Sequence, residues 1–424
     1  MKKLIISKLK GVYTGSGFKV KQGRKIQNDD ISYLSGPIDI ICDQDSGLIV
    51  NILSTDNNPH DPLAEYLFAE NQVATAGFID PHTHHLFFGD RSFEYFLRWQ
   101  GKTYGQIAQE GGGIAFSALK SSENLSSEYF EQKIKTSLLN CFNNGVSTIE
   151  VKSGYGVSTL DEILMLRILK KIKSEKPFKN NILSTYLGLH FLPKGENEDS
   201  FVKDRIDALD TIAEESLAQF VDAFPEKGFF SLESAKRFFD AAKKLGFSLK
   251  LHSDEITDMK ASQLGIDMGA LSIDHLQQIN DTSIAALDKS ETVATFLPAT
   301  SFYLDIDYVN ARKIIDSGAQ YSLATDFNPG TAPNSSLHFT HLLAASKLKM
   351  SAAEILYASS YGSSLSLGLE KDRGILEKGY RAHINLWSTE VNEFNEQNIL
   401  QSLLLNQNKP QKVIINSQEF KITS

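Results

Sequence analysis

From residue 77 to about residue 345 the chain alternates short apolar runs with amphipathic stretches whose apolar residues recur every three or four positions. No other feature narrows the possible folds as much, because this alternation marks βα units built on a parallel sheet. The first run passes through Ala76-Gly77-Phe78-Ile79-Asp80-Pro81-His82-Thr83-His84-His85. The others are 146–152, 182–190, 220–224, 248–252, 270–275, 292–297 and 320–326, with helical spacing at 160–173, 231–245 and 310–317. Eight strands are the number of a closed (β/α)8 barrel. His82, His84, Lys152, His190, His252, His275 and Asp326 fall at the carboxyl ends of these runs, which a barrel gathers on one face. An open, doubly wound sheet is the competing architecture, but no glycine-rich phosphate loop opens the first helix. Gly111-Gly112-Gly113 follows no clear strand and reads as a loop near the mouth of the site.

The flanks have a different texture. Residues 1–76 carry alternating β-branched runs such as Ile38-Asp39-Ile40-Ile41 and Leu48-Ile49-Val50-Asn51-Ile52-Leu53, divided by Gly, Asn, Asp and Pro turns. After residue 370, the stretches 374–379, 382–387, 412–415 and 419–423 return to short strands. The expected organisation is a catalytic barrel over 77–369 and a small β domain assembled from 1–76 and 370–424. A length of 424 residues suits two units, since single cores stop growing beyond roughly 250–300 residues.

Composition excludes several functions. With 43 basic and 52 acidic residues, a net charge of −9 and no basic block, neither nucleic acid nor an anionic membrane is an expected partner. No apolar run approaches the roughly 18 residues of a membrane span, and Lys2-Lys3-Leu4-Ile5-Ile6 falls far short of a signal peptide. Cys42 and Cys141 stand apart from any metal or redox motif and read as small buried hydrophobes in a reducing compartment. A soluble cytoplasmic protein is expected.

The histidines point to a metal. In a strand, residues two apart project from the same side, so His82 and His84 aim two imidazoles at one point, and His85 points away to pack. An isolated His-x-His pair is more often one packed and one solvated residue. His252 alone has the ordinary reading of a packed strand histidine, and Asp326 alone that of a turn cap. All four at strand ends, in this order, make three nitrogens and one carboxylate oxygen, a set that suits Zn²⁺ or Fe²⁺ with a position left for water.

This order of ligands resembles the amidohydrolase superfamily of metal-dependent hydrolases, and within it the imidazolonepropionase family. Longer stretches carry the resemblance: Asp80-Pro81-His82-Thr83-His84 with Gly89-Asp90-Arg91, Thr103-Tyr104 with Gly111-Gly112-Gly113-Ile114, and Glu150-Val151-Lys152-Ser153-Gly154-Tyr155-Gly156. Leu251-His252-Ser253-Asp254-Glu255, Asp274-His275-Leu276 and Ala324-Thr325-Asp326-Phe327-Asn328-Pro329-Gly330 complete it, over roughly residues 77 to 390. Phe224-Pro225-Glu226 and Arg381-Ala382-His383-Ile384-Asn385 depart from the family's usual residues, and the first 70 residues match loosely.

The resemblance implies a (β/α)8 barrel of the metal-dependent hydrolase type and one divalent ion, Zn or Fe, on His82, His84, His252 and Asp326. It implies substrate contacts from Arg91, Tyr155, His190, Glu255, Asn328, Gly330 and Thr331, and a homodimer. The implied reaction opens the ring of 4-imidazolone-5-propanoate by hydrolysis, with another cyclic amidohydrolase or a nucleobase deaminase as the alternative. Asp326 is placed to take a proton from water, and Glu255 and His275 are the candidates for protonating the departing ring nitrogen. Arg91 suits a propionate tail because a guanidinium pairs with a carboxylate through two parallel hydrogen bonds. Lys152, tempting as a bridging carboxylated lysine, is expected to be an ion-pairing residue instead, because the family is mononuclear. His338, His341 and His383 are expected to be structural, and His60 solvent-facing.

Overall fold

A computed structural model describes residues 2–389, 396–406 and 409–421. Its larger sheet holds eight parallel strands in sequence order: Phe78–Asp80, Val146–Lys152, Ile182–Leu189, Phe220–Ala223, Ser248–Ser253, Ser272–His275, Val293–Phe296 and Tyr321–Leu323. Six of the eight are buried along their whole length, the third has only Leu183 half-buried, and the fifth exposes only its first residue, as expected of strands covered by helices on the outside and by each other within. The helices start where capping residues release them. Ser158 and Asp161 form a reciprocal capping box ahead of Thr159–Ser174, and Ser231 and Asn310 cap Leu232–Lys244 and Ala311–Ser317.

The ring closes just beyond the ends of its outermost strands. Thr83 bridges Phe327 in parallel, the Asp326 N–H donates to the His82 carbonyl (3.1 Å) and the His84 N–H to the Phe327 carbonyl (2.9 Å). Asp80 fastens the same seam, its carboxylate accepting from the Thr325 N–H (3.1 Å) and Thr325 Oγ1 (2.6 Å). Two expectations are corrected here. The first and eighth strands are shorter than their apolar runs. The eighth stops at Leu323 because the chain turns out through Asp326, whose φ is +54°.

The second sheet comes from both chain ends, in the order Gln418–Phe420, Lys412–Ile415, Ile384–Ser388, Gln72–Ala76, Lys3–Tyr13, Tyr33–Asp43, Leu48–Ser54, with Glu65–Phe68 also paired to Lys3–Tyr13. Only Gly77 separates Ala76 of this sheet from Phe78 of the barrel. A β-carbon on Gly77 would lie 2.5 Å from Ser147 Oγ, so the crossing between the sheets leaves no room for a side chain. The stretch 374–379, expected as a strand, forms turns because Gly374 and Gly379 take φ of +100° and +90°. An unforeseen helix, Glu396–Leu405, lies between the C-terminal strands. The expected strand 419–423 is observed at Gln418–Phe420, and its last two residues lie outside the described residues. Among the described residues no helix is long and apolar enough to cross a membrane.

Candidate active site

Thr83 turns outward, its hydroxyl donating to the Glu150 carbonyl (2.6 Å), so its neighbours His82 and His84 turn inward together. Their Nε2 atoms lie 3.2 Å apart, and Asp326 Oδ1 lies 3.4 Å from the first and 3.3 Å from the second. The His252 ring is 4.6 Å from that of His82, and ligand atoms of His82, His84 and His252 all fall within 4.8 Å of one another. His85 points the other way, to Ser137 (2.9 Å), as the alternation requires.

Carboxylates behind the histidines decide which nitrogen faces the cluster. Asp274 Oδ2 accepts a hydrogen bond from the His82 Nδ1–H at 2.6 Å, and Asp222 Oδ2 lies 3.0 Å from His252 Nδ1. The hydrogen bond to Asp274 leaves His82 Nε2 as a lone pair turned inward. Burial pushes His82 and His84 down to about 3 and about 4, so both are neutral. Burial opposes the charge of Asp326, but the imidazoles packed around it hold its carboxyl well below the usual range. The His82 lone pair and an anionic oxygen therefore face each other across 3.4 Å. A cation between them relieves that repulsion, and the set has the hard oxygen and borderline nitrogens suited to a divalent metal.

Lys152 balances the carboxylates from below, with Nζ 2.8 Å from Asp222, 2.9 Å from Glu150 and 4.0 Å from Asp274. Burial works against its charge, yet Asp222 and Glu150 hold its pKa above the ordinary lysine value. A lysine kept as ammonium has no lone pair for a carbamate, which agrees with the ion-pairing role expected of it.

Above the cluster opens a cavity of about 340 Å³, lined among others by His84, Arg91, Arg98, Tyr155, His190, His252, Glu255, His275, Asp326, Asn328 and Thr331. The His190 Nδ1 donates to the Gly154 carbonyl (2.8 Å), and burial holds the ring well below its ordinary pKa, so Nε2 is an acceptor. His275 Nε2 lies 3.8 Å from Glu255 Oε2. Burial pushes the Glu255 carboxyl up to about 7, with His275 opposing and the charges of Asp326 and Glu226 adding to the rise. Backbone strain gathers here as well: His275, Leu276 and Asp326 have φ of +82°, +71° and +54°, a region that costs a non-glycine residue about 1–3 kcal/mol.

Residues 73–419 match the model of the amidohydrolase family. The imidazolonepropionase of Caldanaerobacter subterraneus is 40% identical over 321 residues, 75% of this chain and 77% of the relative. That of Thermoanaerobacter pseudethanolicus is 38% identical over 325 residues, 76% of this chain and 78% of the relative.

The chain belongs to the imidazolonepropionase family of amidohydrolases.

Two solved structures from the wider amidohydrolase fold agree in architecture. A zinc-bound adenosine deaminase from Xanthomonas campestris superposes with a TM-score of 0.71 at 14% identity, covering 99% of this chain and 92% of that one. An atrazine chlorohydrolase from Arthrobacter aurescens, complexed with zinc, gives 0.70 at 15%, covering 98% and 94%.

Within this member of the family, most of the residues singled out in sequence converge on the one cavity. Gly330 does not line it. That residue lies behind Arg91, where a β-carbon would come 2.1 Å from Arg91 Nη1, and its carbonyl accepts from Arg98. Asn328 lines the cavity but is tied inward, accepting from the Gly330 (2.9 Å) and Thr331 (2.7 Å) N–H groups and donating to the Asp326 carbonyl (2.7 Å). His338 and His341 are buried beside Phe78 and Trp387, away from the cavity, and His383 is buried too. His60 is exposed and stacks on Tyr66. Sequence reading missed Asp222, Asp274, Glu94 and Arg98. The two aspartates sit inside apolar runs and give no signal by themselves. Glu94 and Arg98 follow Arg91 by three and seven residues, a helical spacing that places all three on one face.

Proposed function

We propose that this chain hydrolyses the ring C–N bond of 4-imidazolone-5-propanoate to N-formimidoyl-L-glutamate, using one divalent ion, zinc or iron, on His82, His84, His252 and Asp326. The observation that carries the reading is the pairing of three imidazoles and one carboxylate at the floor of a cavity with guanidiniums in its wall. The family's membership and the relatives' names support the same reaction. A divalent ion bound there supplies a Lewis acid and lowers the pKa of water from about 15.7 to roughly 7.

Hydrolysis adds one water: the ring carbonyl carbon gains oxygen and becomes a carboxylate, and the ring nitrogen leaves with a proton. Asp326, anionic and fixed by Thr300 Oγ1 (2.6 Å), takes the proton from water. Glu255, with a pKa of about 7, is part protonated at neutral pH and gives a proton to the nitrogen. His275 faces Glu255 and orients it. His190 offers Nε2 to a ring N–H, and Tyr155, in ring contact with His190 and His84, closes that side. Arg91 receives the propionate, which a neutral nucleobase does not possess. Asn328 and Thr331 frame the remaining edge.

The test is the loss of imidazolone absorbance when fresh substrate meets the purified protein, against spontaneous decay and with a chelator added. Acceleration that the chelator abolishes is expected. A metal-loaded sample without acceleration overturns the assignment and sends the search to other cyclic amides and nucleobases.

A further inference from the structure

The helix Ser92–Trp99 and its N-cap place a cation, an anion and a cation in one row, Arg91, Glu94 and Arg98. Glu94 is completely buried, and its two oxygens meet four donors. Oε1 accepts from Arg91 Nε and from the Gly113 N–H, both at 2.8 Å; Oε2 accepts from Arg91 Nη2 at 2.8 Å and lies 3.3 Å from Arg98 Nη1. Both guanidiniums line the cavity, and both are buried. Two adjacent guanidiniums repel; with the one carboxylate between them the trio carries a net charge of +1, the complement of a single carboxylate.

The trio is also tied down on both sides. A β-carbon on Gly112 would lie 2.8 Å from Glu94 Oε1, so the turn before helix Gly113–Asn124 is pressed against the carboxylate. On the far side, Arg98 Nη2 donates to the Gly330 carbonyl and Tyr95 Oη to the Pro329 carbonyl, both at 2.7 Å. Gly330 itself packs on Arg91. Loops after the first and eighth strands thus meet through one buried acid.

We propose that Glu94 is the positioning residue for the substrate's carboxylate tail, holding Arg91 and Arg98 as one monocationic seat. The inference rests on the reading that Arg91 receives the propionate. Geometry, rather than total positive charge, sets the preference: a glutamine at 94 would leave a charge of +2 but turn an N–H₂ toward guanidinium N–H groups, and the fork would swing away.

The experiment compares 3-(imidazol-4-yl)propanoate with its primary amide as competitive inhibitors of the metal-loaded enzyme. The imidazole is common to both, so the ratio of their inhibition constants isolates the carboxylate. In the wild-type protein the acid should bind about tenfold or more tighter than the amide. In E94Q the ratio should fall to about threefold or less, with kcat at saturating substrate changing much less than KM. A merely structural role would weaken acid and amide alike and leave the ratio unmoved, which overturns the inference. A ratio that rises in E94Q, as net charge alone would give, overturns it too. If the wild-type protein shows no preference for the acid, the reading of the tail's location fails instead. Should E94Q not fold, R98Q decides: a reduced ratio supports the paired seat, and an unchanged ratio overturns it.

Discussion

Lys152 keeps its charge in the interior because three carboxylates lie within 4.0 Å of it, and two of them, Asp222 and Asp274, in turn lie against His252 and His82. Removing one partner of such a buried set strands the others, so K152M should destabilise the protein by about 3–5 kcal/mol in denaturant unfolding. The ligand set and the proton donor separate cleanly by substitution. H252A should lower metal content and activity together, measured by metal analysis and turnover. E255Q should keep its metal and lose turnover by about 100-fold or more, because general acid catalysis contributes 10²–10⁴. Full activity in E255Q removes Glu255 from the mechanism. Individual residue types were legible in sequence where they end a strand; Asp222 and Asp274 were not, because an aspartate within an apolar run shows its partner only once neighbouring strands are paired.

Among the elements, the seam between the first and eighth strands carries both halves of the His82, His84 and Asp326 cluster. Asp80 and Thr325 clasp it, so T325V should loosen the register of the ligands while leaving each of them in place. Residues behind a metal's ligands are worth about 10–100-fold in affinity, and a loss in that range is expected when metal retention is titrated against a chelator. Metal retention equal to the wild type would show that the backbone bridges close the seam unaided. Strand order and the helices between were readable from the alternation alone. The early end of the eighth strand was not, since the turn at Asp326 is imposed by the ring's closure and not by any turn residue before it.

For the whole molecule, stability should fall on the acid side. Burial, with His338 nearby, holds His341 well below its ordinary pKa, and burial with Arg373 and Arg381 does the same to His383. In the unfolded chain these imidazoles take up protons near pH 6.5, which the folded protein refuses. The unfolded state therefore gains as pH falls below about 6.5, and above that pH this stability is fully present. H341Q, which keeps a polar partner for Ser359, should lose less midpoint stability between pH 7.5 and pH 5 than the wild type in denaturant melts. An equal loss would place the acid sensitivity elsewhere.

The sequence by itself determined the parallel barrel, the two sheets and the placing of His82, His84, His252 and Asp326 at or just beyond the carboxyl ends of the strands, because periodicity and position along a run are local properties. Tertiary structure decided what surrounds them: which nitrogen of His82 faces inward, why Lys152 stays charged, and how Glu94 gathers two arginines against the turn at Gly112 and the loop at Gly330. Those outcomes depend on groups distant in sequence whose hydrogen bonds and charges must be satisfied together once water is excluded, and no local pattern encodes that.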